Sequence, residues 1–241
     1  NSVTFPCFTI KEMIRKTSYS VAQEDSRFVF NGLFMISTGK KISFIGTDGR
    51  RLAKVDRNIS EEIPFDKGVI VPHKAVKEIS KMIDSSEMGK IGFNENQIYL
   101  SIGGTELLCK TIDGNFPDYE QVIPKNVTYS IKINKEKFQI VLQQAIVAAE
   151  EPTKQIRLEF DKNLLMLYSS SAGTTDSDVG LDIEYTGEKT TIGFKGDYLN
   201  DVIRAIDDSD IILEFSNPNS PVIFKDPSDP DFIAIIMPMK L

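Results

Sequence analysis

Histidine and cysteine, the side chains that most often carry chemistry, are scarce in this sequence. Its 241 residues include one histidine, His73, and two cysteines, Cys7 and Cys109. A single imidazole excludes metal sites built from several histidines, and His73 lies in "VIVPHKAVKE", where we expect a polar helix start. The cysteines are far apart and lack CxxC spacing, so neither a zinc site nor a disulfide framework is predicted. We expect no metal and no cofactor.

Carboxylates offer the remaining route to catalysis. Asp118 and Glu120 lie in the loop "GNFPDYEQVIPKN", and an α+β enzyme that uses them is one alternative; it requires a cleft and a perturbed pKa. The acidic clusters that begin at Asp176, Asp207 and Asp226 lack the ligand spacing of a calcium loop, so we interpret them as solvated turns. The chain has no GxxxxGK[ST], GxGxxG or GxSxG motif. We therefore predict no catalytic residue.

The stretch "TDGRRL" combines a turn with two cations. Asp48-Gly49 is a strong signal for a tight hairpin, because Gly49 can adopt the positive φ that such turns require. A plain turn does not explain why Arg50 and Arg51 stand beside the apolar Leu52. The hairpin is therefore a candidate binding element.

The elements around these residues occur twice. "GVIVPHKAVKEISKMIDSSEMGKIGFNENQIYLSIGG" and "TTIGFKGDYLNDVIRAIDDSDIILEFSNPNSPVIFKD" each predict a strand, a helix and two further strands. The segments before them each predict a strand, a helix and paired strands. The sequence therefore predicts an α+β fold of two copies of one unit, residues 1–125 and 126–241, with Pro124 at the boundary.

The predicted helices are amphipathic and more basic than the rest of the chain. Thr9 and Glu12 form a capping-box pattern at the start of the first helix. The four predicted helices carry a net charge of +3, whereas the whole chain carries −7. This polarity favours helices that face an anionic partner, although lysine and arginine are also common on any helix surface.

Composition indicates a globular protein. The chain is 41% hydrophobic and 26% charged, and no apolar run approaches the length of a bilayer-spanning helix. No basic-then-apolar leader opens the sequence, so we expect a cytoplasmic location. The sequence ends with the apolar run Phe232–Met239 followed by Lys240 and Leu241, which is unusual because chain ends tend to be polar and to fray.

Several motifs together resemble one known family. "TDGRRLA", "VIVPHKAV", "GNFPDY..VIPKN", "IGFKGDYLNDVIRAI" and "MPMKL" occur in the order found in the bacterial DNA polymerase III β subunit, the replicative sliding clamp. The resemblance covers nearly the whole chain. It implies two copies of the DNA-clamp unit, each with helices packed on antiparallel β-sheets, corresponding to the middle and C-terminal domains of a three-domain protomer.

The resemblance implies a non-catalytic processivity factor that encircles duplex DNA without reading its sequence. Full-length protomers of the family form a homodimeric ring, whereas a chain without the first domain is expected to be monomeric. The inner surface faces the phosphate backbone. The cations predicted on that surface, chosen by helix face, are Lys11, Arg15, Lys74, Lys77, Lys81, Lys135 and Arg204.

The resemblance also implies a hydrophobic groove between the two domains that binds linear peptide motifs rich in Gln, Leu and Phe. Partners of this kind are the polymerase III α subunit, the clamp loader, other polymerases and repair proteins. The matching positions are Phe30, Thr47, Gly49, Arg50, Arg51, Leu52, Pro117, Val122, Thr153, Tyr198, Ile236, Met237, Pro238, Met239, Lys240 and Leu241. Arg50 stands where a histidine is frequent in the family. A peptide-binding adaptor without a DNA role is a further alternative.

Overall fold

The computed structural model describes residues 2–59, 68–83, 88–94, 96–149, 152–169 and 177–241. The chain divides into two compact units, Asn1–Pro117 and Asp118–Leu241. Phe116 stacks on Phe34 with ring centroids 4.5 Å apart, which holds the chain on the first unit up to this point. Residues 118–125, assigned from the sequence to the first domain, belong to the second unit in this division.

The first unit contains two helices and two antiparallel sheets among its described residues. The sheets have the strand orders β1-β6-β7-β8 and β5-β2-β3-β4. Short 3₁₀ turns lie at Ser18–Ser20, directly after the first helix, and at Phe28–Asn31, directly before the second strand. The elements are β1 (Ser2–Pro6), α1 (Cys7–Thr17), β2 (Gly32–Thr38), β3 (Lys41–Thr47), β4 (Arg51–Asn58), β5 (Val69–Pro72), α2 (His73–Met82), β6 (Met88–Asn94), β7 (Gln97–Ile102) and β8 (Thr105–Lys110).

The second unit repeats this arrangement. Its strand orders are β9-β14-β15-β16 and β12-β11-β10-β13, and a 3₁₀ turn at Tyr119–Val122 precedes them. The elements are β9 (Tyr129–Asn134), α3 (Lys135–Ala148), β10 (Gln155–Asp161), β11 (Leu164–Ser169), β12 (Ser177–Asp182), β13 (Thr190–Lys195), α4 (Gly196–Ala205), β14 (Asp210–Phe215), β15 (Val222–Asp226) and β16 (Asp229–Ile236).

The predicted repeat is confirmed element by element. Both units run strand, helix, four strands, helix, three strands, and corresponding strands have the same neighbours. β13 is thus the counterpart of β5, and β16 that of β8. The α+β fold class, with helices packed on antiparallel sheets, is confirmed.

Each helix buries one apolar stripe against its own unit. Residues three and four apart share a helix face, and burial of that face stabilises short helices that would be marginal in isolation. Each described helix is too short or too polar to cross a bilayer. The buried stripes are Ile10, Met13 and Ile14 in α1, Val76 and Ile79 in α2, Phe138, Val141, Leu142 and Ala145 in α3, and Leu199, Val202 and Ile203 in α4.

The capping box predicted at Thr9 and Glu12 is wrong. α1 begins at Cys7, three residues before the start that an N-cap at Thr9 would give, and its N-cap is Pro6, which makes no side-chain cap. The Glu12 carboxylate instead accepts a hydrogen bond from the Arg57 guanidinium of β4 at 2.7 Å. A tertiary ion pair thus replaces the local cap.

The interpretation of the cluster at Asp226 as a solvated turn is wrong for Asp226 itself, whereas Pro227, Ser228, Pro230 and Asp231 are exposed. Asp226 is 2% exposed. Its carboxylate accepts hydrogen bonds from the backbone N–H of Asp207 at 2.8 Å, Asp208 at 3.3 Å and Ser228 at 3.0 Å, and from the Ser228 hydroxyl at 2.6 Å. It therefore ties the connection after α4 to the β15–β16 turn. In the cluster that begins at Asp176, Asp176 and the side chain of Asp178 lie outside the described residues.

Candidate functional site

The "TDGRRL" stretch forms the predicted hairpin between β3 and β4. Thr47 pairs with Leu52 across the ladder, and Gly49 adopts a φ of +83°. Asp48 Oδ1 accepts hydrogen bonds from the backbone N–H of Arg50 at 2.9 Å and of Arg51 at 3.0 Å. Because the aspartate satisfies the turn amides, the hairpin is locally rigid.

The two arginines of the hairpin differ in their surroundings. Arg51 packs inward, where its Nε donates to Asp48 Oδ2 at 3.1 Å and its guanidinium lies 5.6 Å from the centroid of the Tyr19 ring. A terminal nitrogen of Arg51 also donates to the Tyr19 carbonyl at 2.5 Å. Arg50 is exposed. Arg51 therefore braces the hairpin, whereas Arg50 is presented to solvent.

The ring of Phe30 is covered by the guanidinium of Arg27, a residue that sequence analysis missed. The Arg27 guanidinium is 4.3 Å from the centroid of the Phe30 ring. Arg27 also pairs with Asp25 at 2.8 Å, and hydrogen bonds from its side chain and from its backbone N–H lower the pKa of Asp25 to about 2. A Cβ added to Gly49 would lie 3.3 Å from the Phe30 ring. Phe30, Thr47 and Leu52 are buried, so they support this surface from beneath.

In the second unit, the segment Met237–Leu241 lies beside β13, with which it forms one antiparallel bridge. The Met239 N–H donates to the Gly193 carbonyl at 2.8 Å. The Gln155 side-chain amide donates to the Lys240 carbonyl at 3.0 Å. Ile236 is fully buried at the end of β16, whereas Met237 is 41% and Leu241 67% exposed. The terminal segment is thus ordered along its backbone while apolar side chains stay open to solvent.

Gly193 permits this close approach of the two backbones. A Cβ at that position would lie 2.9 Å from Leu241 Cδ2 and 3.0 Å from both the Met239 carbonyl oxygen and Gln155 Nε2. Sequence analysis missed Gly193 and Gln155. A glycine in the middle of the strand "TTIGFK" is the signal that could have identified the site, because such glycines often mark a close approach of another backbone.

The first unit contains an equivalent antiparallel bridge. After β8, the Ile112 N–H donates to the Ile70 carbonyl of β5 at 2.9 Å. β5 and β13 are counterparts, so the two single-residue bridges occupy equivalent places in the repeat. In the first unit the segment goes on to Phe116, whose ring stacks on Phe34 of β2.

The other predicted groove residues are distributed over both units. Pro117 and Thr153 are exposed, and Val122 is 43% exposed in its 3₁₀ turn. Tyr198 is half-buried on α4, with the Lys195 ammonium 5.3 Å from its ring centroid. In the second unit, the resemblance-based positions thus include exposed apolar side chains as well as a cation–π pair.

The cations predicted on the inner surface lie on helix exteriors, with one exception. Lys135 is half-buried, and its ammonium donates to the Ile206 carbonyl at the C-terminal end of α4. That charge stabilises a helix terminus. The exposed members are Lys11, Arg15, Lys74, Lys77, Lys81 and Arg204.

His73 is the first residue of α2, as predicted, and makes a poor catalytic base. Burial is the largest cause that lowers its pKa below the ordinary value, the nearby Lys77 ammonium adds to the decrease, and a hydrogen bond with the Ala22 backbone opposes it. The neutral imidazole is therefore favoured in the folded chain.

We expect Lys77→Ala to raise the His73 pKa, because the substitution removes a repelling charge. The single imidazole can be titrated by proton NMR, and Lys81→Ala on the same helix serves as the control. A depressed histidine pKa lowers stability as pH falls from the unfolded value of about 6.5 toward the folded one, because the unfolded chain binds the proton more readily. An unchanged His73 pKa in Lys77→Ala would show that the Lys77 ammonium does not contribute to the decrease.

Of the two candidate carboxylates, Asp118 has a structural role. Asp118 accepts hydrogen bonds from the Glu120 N–H at 3.2 Å and the Gln121 side-chain amide at 2.9 Å, and so caps the turn Tyr119–Val122. Asp118 and Glu120 are both exposed. Within the described ranges, no group of three or more His, Cys, Asp or Glu side chains could hold a metal ion.

Both units match models of one known protein family. The family model of the DNA polymerase III β subunit central domain matches residues 4–118, and that of the C-terminal domain matches residues 120–240. The chain belongs to the DNA polymerase III β subunit family. The two matched ranges correspond closely to the two structural units.

Relatives in this family support the assignment. The chain is 30% identical over 232 residues to the beta sliding clamp of Chlamydia muridarum, covering 96% of this chain and 63% of that protein. It is 28% identical over 239 residues to the Escherichia coli K12 beta sliding clamp, covering 99% of this chain and 65% of the relative. The chain thus spans less than two thirds of these curated relatives.

Solved structures of the family agree in fold. The DNA polymerase III subunit beta of Pseudomonas aeruginosa aligns with a TM-score of 0.97 at 25% identity, over 100% of this chain and 67% of that one. A sliding clamp from the same organism, bound to griselimycin, aligns with a TM-score of 0.95 at 25% identity, over 100% of this chain and 66% of that one. The family resemblance read from the motifs is confirmed.

Proposed function

We propose that this chain is the central and C-terminal part of a replicative sliding clamp, a non-catalytic processivity factor. With a further domain it would form a homodimeric ring around duplex DNA. Linear motifs of the polymerase III α subunit, the clamp loader, other polymerases and repair proteins would bind the hairpin surface Thr47–Leu52 and the terminal segment Met237–Leu241.

The observation that carries the peptide-binding proposal is the state of the terminal segment. Backbone hydrogen bonds to Gly193 and Gln155 hold it extended, while Met237 and Leu241 remain exposed. A pre-ordered backbone loses little entropy when a ligand binds. Methionine is unbranched and polarisable, so it adapts to apolar side chains of different shapes. These features suit a surface that receives Leu and Phe side chains from several partners.

Fluorescence polarisation with the 241-residue chain tests this proposal. A labelled Gln-Leu-Phe-type peptide is expected to bind saturably with a Kd on the order of micromolar, and the same peptide with Leu and Phe replaced by Ala is expected to bind at least tenfold more weakly. Equal binding of both peptides, or no binding by a folded chain, would overturn the peptide-binding role.

The DNA-related role has its own tests. We expect the chain alone to be monomeric, because the family resemblance assigns half of each ring contact to a further domain; light scattering measures this. A full-length protein should be retained on circular DNA and lost when the circle is linearised. An adaptor without a DNA role, or an enzyme that uses Asp118 and Glu120, would show no such topological dependence.

A further inference from the structure

The net positive charge of the helices belongs to the first unit. α1 carries Lys11, Arg15, Lys16 and Glu12, a net charge of +2, and α2 carries Lys74, Lys77, Lys81 and Glu78, also +2. α3 has a net charge of +1 and α4 of −1. Lys16 is fully buried, so the charged side chains of α1 and α2 that reach solvent total +3 and those of α3 and α4 total zero.

The contacts of the charged side chains compensate acidic groups in both units; in the second unit, the Asp197 carboxylate of α4 lies 3.8 Å from the Lys154 ammonium. Glu12 is paired with Arg57 of β4 at 2.7 Å, and Glu78 is paired with Lys81 at 2.9 Å. Both carboxylates on α1 and α2 are therefore compensated within the first unit. In the second unit, the Lys135 ammonium is engaged by the Ile206 carbonyl.

The exposed cations of the first unit share one side of a layer. α1 packs on β3 and β4, and α2 packs on β2 and β5 of the same sheet, with the two helices in contact. Lys11 and Arg15 are four residues apart, and Lys74, Lys77 and Lys81 follow the spacing of one helix face. All five are exposed, so they present an extended basic surface on the helices.

The outer face of α3 is different. Ile140 is 54% and Val147 86% exposed, and with the exposed Gln144 they form a face without charge. Lys137 is exposed in the first turn, but it is next to the exposed Glu136. Apolar and amide side chains offer no counter-charge to a phosphate.

We propose that α1 and α2 of the first unit carry the phosphate contacts with duplex DNA and that α3 and α4 contribute little. The inference rests on the proposed clamp function, and it narrows the DNA-facing set to Lys11, Arg15, Lys74, Lys77 and Lys81. Duplex DNA is the occupant because its regular array of phosphates matches a basic surface that needs no base-reading side chains.

Salt-dependent binding to DNA tests the inference. Fluorescence anisotropy of a labelled duplex of roughly 20 base pairs, with the 241-residue chain and about 20 to 150 mM NaCl, gives the slope of log K against log salt. Lys74→Gln/Lys77→Gln is expected to reduce that slope by about 1 to 2 and the affinity by about three- to tenfold. Lys137→Gln/Arg204→Gln removes the same charge from the other unit and should change neither quantity measurably.

An equal or larger effect of the second pair would overturn the inference, as would the absence of any duplex binding. Both variants must unfold at the wild-type temperature, and both should bind the Gln-Leu-Phe-type peptide as the wild type does. If the wild-type chain binds the peptide but no duplex, this inference alone is contradicted. If the peptide does not bind but the two double variants still differ in DNA binding as expected, only the peptide-binding part of the proposed function is contradicted.

Discussion

Deletion of Met237–Leu241 is expected to weaken binding of a Gln-Leu-Phe-type peptide by about tenfold to a hundredfold, which corresponds to about 1–3 kcal/mol. The deletion removes the two exposed apolar side chains of the segment together with Met239. Met239→Ala alone is expected to cause part of the loss. Fluorescence polarisation provides the affinity, and unchanged binding by a folded deletion variant would exclude this segment from the binding surface.

Two further variants separate the position of the segment from its composition. Gly193→Ala keeps all five terminal residues, but its new methyl group would lie within 3.0 Å of the Met239 carbonyl oxygen. The substitution should therefore displace the segment and weaken peptide binding. Met88→Ala removes an exposed methionine from β6 of the first unit, where it is 58% exposed, and should leave peptide affinity unchanged. A loss in Met88→Ala comparable to that in Met239→Ala would indicate a nonspecific effect.

Asp226→Ala is expected to lower the free energy of unfolding by about 2–4 kcal/mol. The substitution leaves the N–H groups of Asp207, Asp208 and Ser228 without their acceptor at a site that is 2% exposed. A buried donor that loses its partner costs about 1–3 kcal/mol, and here three backbone donors share one carboxylate. Equilibrium unfolding in urea, followed by circular dichroism, measures the change.

The matched control for Asp226 is Asp231→Ala, which removes an exposed carboxylate five positions later. It should change stability by less than about 0.5 kcal/mol. Asp226→Asn retains one acceptor oxygen, so its loss should be intermediate. A near-neutral Asp226→Ala would mean that water replaces the carboxylate and that the turn is solvated after all.

Sequence patterns predicted the features that depend on near neighbours. The repeat was visible because apolar residues recur with helix and strand periods in both halves, and the buried stripes of all four described helices follow that spacing. The hairpin at Asp48-Gly49 was visible because its turn chemistry is local. These elements required no knowledge of distant contacts.

Features that depend on distant partners were missed or misread. The Arg51 side chain is anchored by the carbonyl of Tyr19, 32 positions away, and Gln155 binds the Lys240 carbonyl across 85 positions. Asp226 was taken for a solvated turn because two of its donors lie 18 and 19 positions away. The residues that neighbour each of these positions in the sequence do not indicate such distant partners. The assignment of individual groove residues depended on family resemblance for the same reason.

The paired bridges Ile112–Ile70 and Met239–Gly193 leave the two connectors with different freedom to vary. In the first unit the connector continues to the aromatic stack of Phe34 and Phe116, so a substitution there would disturb a packed contact. In the second unit Met237 and Leu241 are exposed, so substitutions at these two positions need not compromise folding. The outer side chains of that segment can therefore vary while the sheet beneath them stays constant.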